Sequence, residues 1–269
     1  MTRIRQHKGF RPGARRLRAP AVLIVLLLCL AADGIAQVCT SVDPSHAAWS
    51  ALLSRRVVDG RVDYAGFLRD DQPALDSYLA TLSGTCADDY SRWPRAEKIA
   101  FWINAYNAFT VRLIANHYPL RSIRNIGWLP GAAFRKQFIP MQGLRGEEMS
   151  LDDIEHRVLR AGFAEARIHF ALVCAARSCP PLRAEAYRGA DLGQQLEDQG
   201  RRFLGDRDKN RVDLDAGKLY LSKIFKWFRP DFEAHGPLGA FVAPYLELQA
   251  NDIANFEIEF LDYDWSLNE

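Results

Sequence analysis

The chain has 269 residues, with 35 Lys and Arg against 33 Asp and Glu, for a formal charge of +2. That small excess sits in the first 36 residues, where seven basic side chains face one acid, Asp33, so residues 37–269 carry about −4. A mildly acidic body with no Lys/Arg stripe to neutralise phosphates excludes nucleic acid as the expected partner.

In chain order, "MTRIRQHKGFRPGARRLR", the apolar "APAVLIVLLLCLAA" and "DGIAQ" form the layout of a secretory signal peptide over residues 1–36, with Gly34 and Ala36 at the −3 and −1 positions. The apolar run is shorter than the roughly 20 residues a bilayer requires, so no stable membrane span is expected after cleavage. Leu28 and Val38 are bulky where lipidation of Cys29 or Cys39 would need a small residue. The expected location is therefore periplasmic or secreted. Residues 37–269 then read as a single globular domain, long enough for one core. Cys39, Cys86, Cys174 and Cys179 remain, and in an oxidising compartment they allow two disulfides in three connectivities.

"SHAAWSALLSRRVVDG" has apolar positions at helical spacing and ends at Gly60, and "VDYAGFLRDDQPALDSYLATLSG" continues as helix, turn and helix, with Pro73 suited to a first turn. "RAEKIAFWINAYNAFTVRLIANHYP" is apolar on every face between Lys98 and Arg112, the pattern of a buried helix. Asn104 and Asn107 interrupt it on one face, either satisfying backbone in a neighbouring loop or lining a site. "GLRGEEMSLDDIEHRVLR" predicts a further helix, with Ser150 and Asp153 as a capping box. Glu155 falls within its apolar stripe, and His156 lies beside it on a row with Asp152 and Arg160.

"RIHFALVCAARSCPPL" begins as a short β-rich run, and a strand is expected over its first residues. Alternation would then put His169 and Cys174 on opposite faces, about 16 Å apart, with Cys174 presented at the strand end. "KLYLSKIF" predicts a short strand, "WFRPDF" packing at a core corner, and "FEIEFLDYDW" a half-buried strand. The fold class expected is α+β: a helix-rich single domain on a small, mainly antiparallel sheet. A cysteine-protease or transglutaminase-like arrangement is compatible with it as fold-level analogy.

Five blocks in order, "FWINAYNAFTV", "MSLDDIEHRVLR", "IHFALVCAARSCPPL", "LSKIFKWFRPDF" and "YDWSLN", resemble the domain of unknown function 547 family, with a core at about residues 92–230. The resemblance marks Asn104, Asn107, Glu155, His156, His169, Cys174, Ser178 and Arg183 as its polar matches. Family members from plants carry serine where this chain has Cys179, which implies a working thiol at Cys174 and a disulfide between Cys39 and Cys86.

Two functions follow. One is a cysteine-dependent hydrolase or acyl transferase acting on an amide or thioester. Cys174 would be its nucleophile and His156 its base, with His169 the second choice because of the strand parity. Glu155, Asn104 and Asn107 would orient or donate, and Ser178 and Arg183 would contact a small molecule or peptide. The other is an exported binding or scaffolding domain whose polar set forms a buried network. A Cys174, Cys179 and histidine metal site has four intervening residues, at the limit for zinc, with no second Cys/His pair, so no metal is expected. The pair also lacks the CxxC spacing of redox dithiols. Without a Gly-rich phosphate loop, no nucleotide or other cofactor is expected.

Overall fold

A computed structural model describes residues 39–269, and the signal peptide expected over residues 1–36 lies outside them. The long apolar stretch forms the helix Arg95–Ala115, and residues 99–111 are buried without interruption. Glu97 in its first turn and Arg112 in its last complement the helix dipole. Its main packing partners are other helices, among them Tyr64–Arg69, Gln72–Ser83, Asp153–Arg160 and Leu192–Leu204. The expected buried helix is therefore central, but it is wrapped by helices rather than laid on a sheet.

The strands are short and lie in three separate sheets: the hairpin Val57–Val58 with Arg61–Val62, the pair Ile139–Pro140 with Glu148–Met149, and a three-stranded sheet. In the last, Arg211–Asp213 runs antiparallel to Lys218–Leu221, which pairs in parallel with Glu257–Phe260. This is an α+β, helix-rich architecture with small, mainly antiparallel sheets. The first hairpin replaces the expected helix end at Gly60. Asp59 and Gly60 both take positive φ, 50° and 80°, so "VVDGRV" makes the two-residue turn that Asp-Gly favours. Gly60 also faces Pro181 so closely that an added Cβ would lie 2.3 Å from the proline Cβ.

The principal departure is at residues 166–170. The expected strand is the 3₁₀ helix Ala166–Phe170, entered through Ala164 at φ 45° and capped by the Glu165 side chain, which accepts from Arg167 N–H. Arg167 also pairs with Glu165 through its guanidinium, so this local side-chain chemistry outcompetes β-propensity. The segment lies at the seam of two apolar clusters: Ile168 packs in the larger one around the central helix, and Phe170 in the second with Phe203, Phe225 and Phe232. His169, only 2 % exposed, is buried between them. The parity argument that set His169 against Cys174 therefore does not apply.

Asn104 and Asn107 act as backbone clamps. Asn104 donates to Tyr187 O and accepts from Tyr187 N–H, at 2.7 and 3.0 Å. Asn107 donates to Ala171 O and accepts from Val173 N–H, both at 2.9 Å. Both ends of each amide are thus used on loops, which corrects the expectation that they orient or donate in a site. The C-terminal segment is a strap along the cysteine loop: Arg177 N–H donates to Ser266 O, Ser178 N–H to Asp264 O, and Asn268 N–H to Ala175 O. Cys39 and Cys86 stand at disulfide distance, with sulfurs 2.02 Å and Cα atoms 5.4 Å apart. No described helix is long and apolar enough to cross a membrane.

The clamp can be tested directly. Asn107→Ala leaves Ala171 O and Val173 N–H buried and unpaired, so it should destabilise the chain by roughly 1–3 kcal/mol in urea unfolding. A variant within a few tenths of a kilocalorie of the wild type would show that these backbone groups find other partners.

Candidate functional site

Several elements converge on a cleft of about 180 Å³ lined by Tyr106, Asp152, Glu155, His156, His169, Cys174, Cys179, Phe228, Tyr263 and Trp265, among others. Glu155 and His156 come from Asp153–Arg160, which winds as a π-helix, a rare geometry that recurs at functional sites. Its entry is the expected capping box: Asp153 accepts from Ser150 N–H at 2.9 Å, and Ser150 Oγ accepts from Asp153 N–H at 3.1 Å. His169 comes from the 3₁₀ segment, the cysteines from the loop that follows, and Tyr263 and Trp265 from the strap.

The centre of the arrangement is Asp231, in the short helix Arg229–Phe232. Arg160 grips its carboxylate through Nε at 2.6 Å and Nη2 at 2.8 Å, while His169 Nε2 lies 2.8 Å from Oδ2. Arg160 first, then His169, holds the Asp231 pKa well below the usual carboxylate range. Burial lowers the pKa of His169, against the opposing pull of Asp231, so its ring is neutral at neutral pH. With Asp231 ionised, Nε2 carries the proton and donates it, and Nδ1 is left as a bare lone pair. Nδ1 is buried with no hydrogen-bond partner among the described residues. Phe228 stacks on the ring at 3.9 Å and 17° and fixes its orientation.

Glu155 Oε1 lies 3.7 Å from that Nδ1, and its side chain is only 12 % exposed. Burial, then the nearby Asp152 charge, pushes its pKa up to about 8, so at neutral pH it is mainly a protonated, neutral carboxyl. Asp152 is itself raised by burial. His156 is solvent-exposed, its Nδ1 3.1 Å from Arg160 Nη1, a donor that requires it to accept. Partial desolvation lowers its pKa. His156 thus faces a cation at the rim, whereas the buried imidazole of the cleft is that of His169.

Cys174 and Cys179 also stand at disulfide distance, with Cα atoms 6.2 Å apart, so Cys174 is not a free thiol here. The Tyr263 hydroxyl lies 3.3 Å from Cys174 Sγ and 3.2 Å from Cys179 Sγ, and Cys174 N–H donates to Cys179 Sγ at 3.1 Å. Ala175, next in the chain, is held at φ 62°, a strained conformation for a residue with a Cβ and one that tends to cluster at functional sites.

Ser178 and Arg183 do not join this cleft. Ser178 Oγ accepts from Asp264 N–H at 2.8 Å and fastens the strap. Arg183 forms ion pairs with Glu185 and Asp198 and lies over the Tyr187 ring. Asp231, Tyr263 and Phe228 join this cluster without having been singled out from the sequence, and Arg160 was noted there only as a helix-row neighbour of His156. The signal for Asp231 was an acid enclosed by aromatic residues in "WFRPDF", read as packing. Among the described residues, no group of three or more His, Cys, Asp or Glu is arranged to hold a metal ion.

Residues 90–204 match the family model described as protein of unknown function, DUF547. The matched segment takes in Glu155, His156, His169, Cys174 and Cys179 and ends before Asp231 and Tyr263, short of the expected boundary near residue 230. No curated protein and no solved structure matches the chain.

The charge state of Glu155 has a measurable consequence. Its pKa is raised on folding, from an ordinary carboxyl value near 4.5 to about 8. The folded state therefore holds the extra proton between those values, and the stabilisation present at low pH is lost as pH rises through that window. Glu155→Gln, neutral throughout, should flatten the decline. The difference in unfolding free energy between wild type and variant should change by a few kcal/mol from about pH 4.5 to pH 8.5. A difference independent of pH would mean that Glu155 is ionised in the folded chain.

Proposed function

We propose that the chain is an exported cysteine-dependent hydrolase or acyl transferase acting on an amide or thioester, with Cys174 as nucleophile, His169 as base and Asp231 as the residue that orients it. The observation that carries this reading is the His169 ring. It is pinned by Asp231 and Phe228, and its bare Nδ1 is buried in the cleft that the Cys174 sulfur also lines. An oriented base in the same cleft as a cysteine, with a third group behind the base, supplies the parts that nucleophilic catalysis requires. Export agrees with two cysteine pairs at disulfide distance, since such bonds persist in oxidising compartments.

In this reading the reduced Cys174 gives its proton to His169 Nδ1, and the thiolate attacks the carbonyl carbon. The imidazolium returns the proton to the leaving amine or thiol as the tetrahedral species collapses to a thioester on Cys174. Water, or an acceptor in the transferase case, then attacks the thioester with His169 again taking the proton. Asp231 stabilises the imidazolium and keeps the tautomer that presents Nδ1. Glu155 supplies a neutral carboxyl and adds no competing negative charge.

The second reading, a binding or scaffolding domain, is favoured by the Cys174–Cys179 pairing itself, which leaves no thiol to react. Iodoacetamide labelling of the reduced chain from pH 5 to pH 9 separates the two. An activated Cys174 should label quickly near pH 7, well below the ordinary thiol value of about 8.5, and slow roughly tenfold or more in His169→Asn. His156→Asn should label much as the wild type does. An ordinary thiol titration in all three proteins would leave the scaffolding reading standing.

A further inference from the structure

Cys179 Sγ receives two hydrogen bonds that a bridging sulfur does not need. Cys174 N–H donates to it at 3.1 Å and the Tyr263 hydroxyl at 3.2 Å. One donor is the main-chain amide of the residue proposed as nucleophile; the other is the Tyr263 phenol, carried by the C-terminal strap. Tyr263 packs against Trp227 at 4.8 Å and Trp265 at 4.7 Å, and its segment is bound to the cysteine loop through Ser178 and Asp264. Cys179 itself is buried, at 2 % exposure. Two donors converging on one buried acceptor beside a nucleophilic sulfur form a preorganised site for developing negative charge.

We propose that Cys179 Sγ occupies an oxyanion pocket made by Cys174 N–H and Tyr263 O–H, and that the Cys174–Cys179 bridge keeps nucleophile and pocket latent until a dithiol reductant opens it. This rests on the thiol reading above. In the opening step a thiolate of the reductant attacks one bridge sulfur, and the S–S bond breaks to give a mixed disulfide and one protein thiol. The second thiol of the reductant resolves the mixed disulfide, so that two electrons pass to the protein and both cysteines end as thiols. Cys179 Sγ then leaves the pocket. As the Cys174 thiolate adds to a carbonyl, the C=O π pair moves onto oxygen, which takes the place of the departed sulfur between the two donors. Burial raises the pKa of the Tyr263 hydroxyl far above its ordinary value, so it remains a donor at any working pH.

The prediction separates the latch, the pocket and the nucleophile. Four preparations would be mixed with p-nitrophenyl acetate and followed for a burst of p-nitrophenolate: oxidised wild type, wild type reduced with dithiothreitol and desalted, Cys179→Ala, and Cys179→Ala/Tyr263→Phe. Iodoacetamide labelling of Cys174 would be measured in parallel. Alkylation passes through no oxyanion, so it reports the thiolate alone. Oxidised wild type should show no burst, and reduced wild type and Cys179→Ala a near-stoichiometric one, the latter without reductant. Adding Tyr263→Phe should slow acylation about a hundredfold after normalisation to the labelling rate. An oxidised chain that bursts like the reduced one would overturn the latch. A double variant that acylates as fast as Cys179→Ala, with labelling still that of an activated thiol, would overturn the pocket while leaving Cys174 as nucleophile. Ordinary thiol labelling and no burst in Cys179→Ala would instead remove the thiol reading and this inference with it.

Discussion

The Asp231 carboxylate holds the site together. It accepts two hydrogen bonds from Arg160 on the π-helix and one from His169 on the 3₁₀ segment, while standing in a third element, Arg229–Phe232. Three stretches separated by up to 71 residues therefore meet on one side chain. A half-buried carboxylate can meet the cost of desolvation only when its partners are charged and well aimed, and here one guanidinium offers two parallel donors. Removing either partner would leave charge without compensation at the seam of two apolar clusters. The same bond fixes the imidazole tautomer, so the stability of this corner and the chemistry of Nδ1 share one cause.

The central helix supports this corner from behind. Asn107 uses both its amide nitrogen and oxygen on residues 171 and 173, just before Cys174, and so sets where the cysteine loop begins. The strap sets where it runs: Ala176 bridges Leu267, and Asn268 both donates to Ala175 O and accepts from the Tyr64 hydroxyl at 2.7 Å. Gly60 lets the first hairpin close against Pro181 on the far side of the same loop. A loop held at several points can keep Ala175 in a left-handed conformation that an isolated chain would avoid.

Features written in short-range pattern were legible in the sequence. The all-apolar helix, its two interior asparagines and the Ser150–Asp153 box each depend on residues within one or two turns, and each is in place. The strand expected at 168–174 failed because β-propensity was weighed without the Glu165–Arg167 pairing and the Ala164 turn that precede it. That error propagated, since a strand separates His169 from Cys174 by parity whereas a 3₁₀ turn imposes no such rule. "VVDGRV" held a hairpin signal that was read as a helix stop. Asp231 carried only the mark of an acid among aromatics, and Tyr263 none, because their positions in the cluster arise from contacts 62 and 84 residues away, to His169 and Cys179. No local periodicity encodes such distances.

Charge accounting in the cluster explains which groups ionise. Among the described residues Arg160 is the cation hydrogen-bonded to the cluster, and Glu155 and Asp231 both feel its charge. Asp231 takes it because it alone receives the guanidinium fork and the His169 proton, so the pair is neutral as a unit. A second carboxylate charge at Glu155 would add to the negative side without a partner, and burial makes the neutral acid the cheaper state. The neutral carboxyl therefore faces a neutral imidazole across 3.7 Å. Transfer of a proton from a Cys174 thiol to His169 would create one positive and one negative charge together and leave the net charge of the cluster unchanged. Its cost would then be set by the separation of the two new charges and by the Asp231 carboxylate behind the ring. An ionised Glu155 would stabilise the imidazolium too, but it would repel the thiolate and the oxyanion that follows. On the thiol reading proposed above, a protonated Glu155 would let the Asp231–His169 pair act as a base without adding negative charge where the thiolate and oxyanion would form.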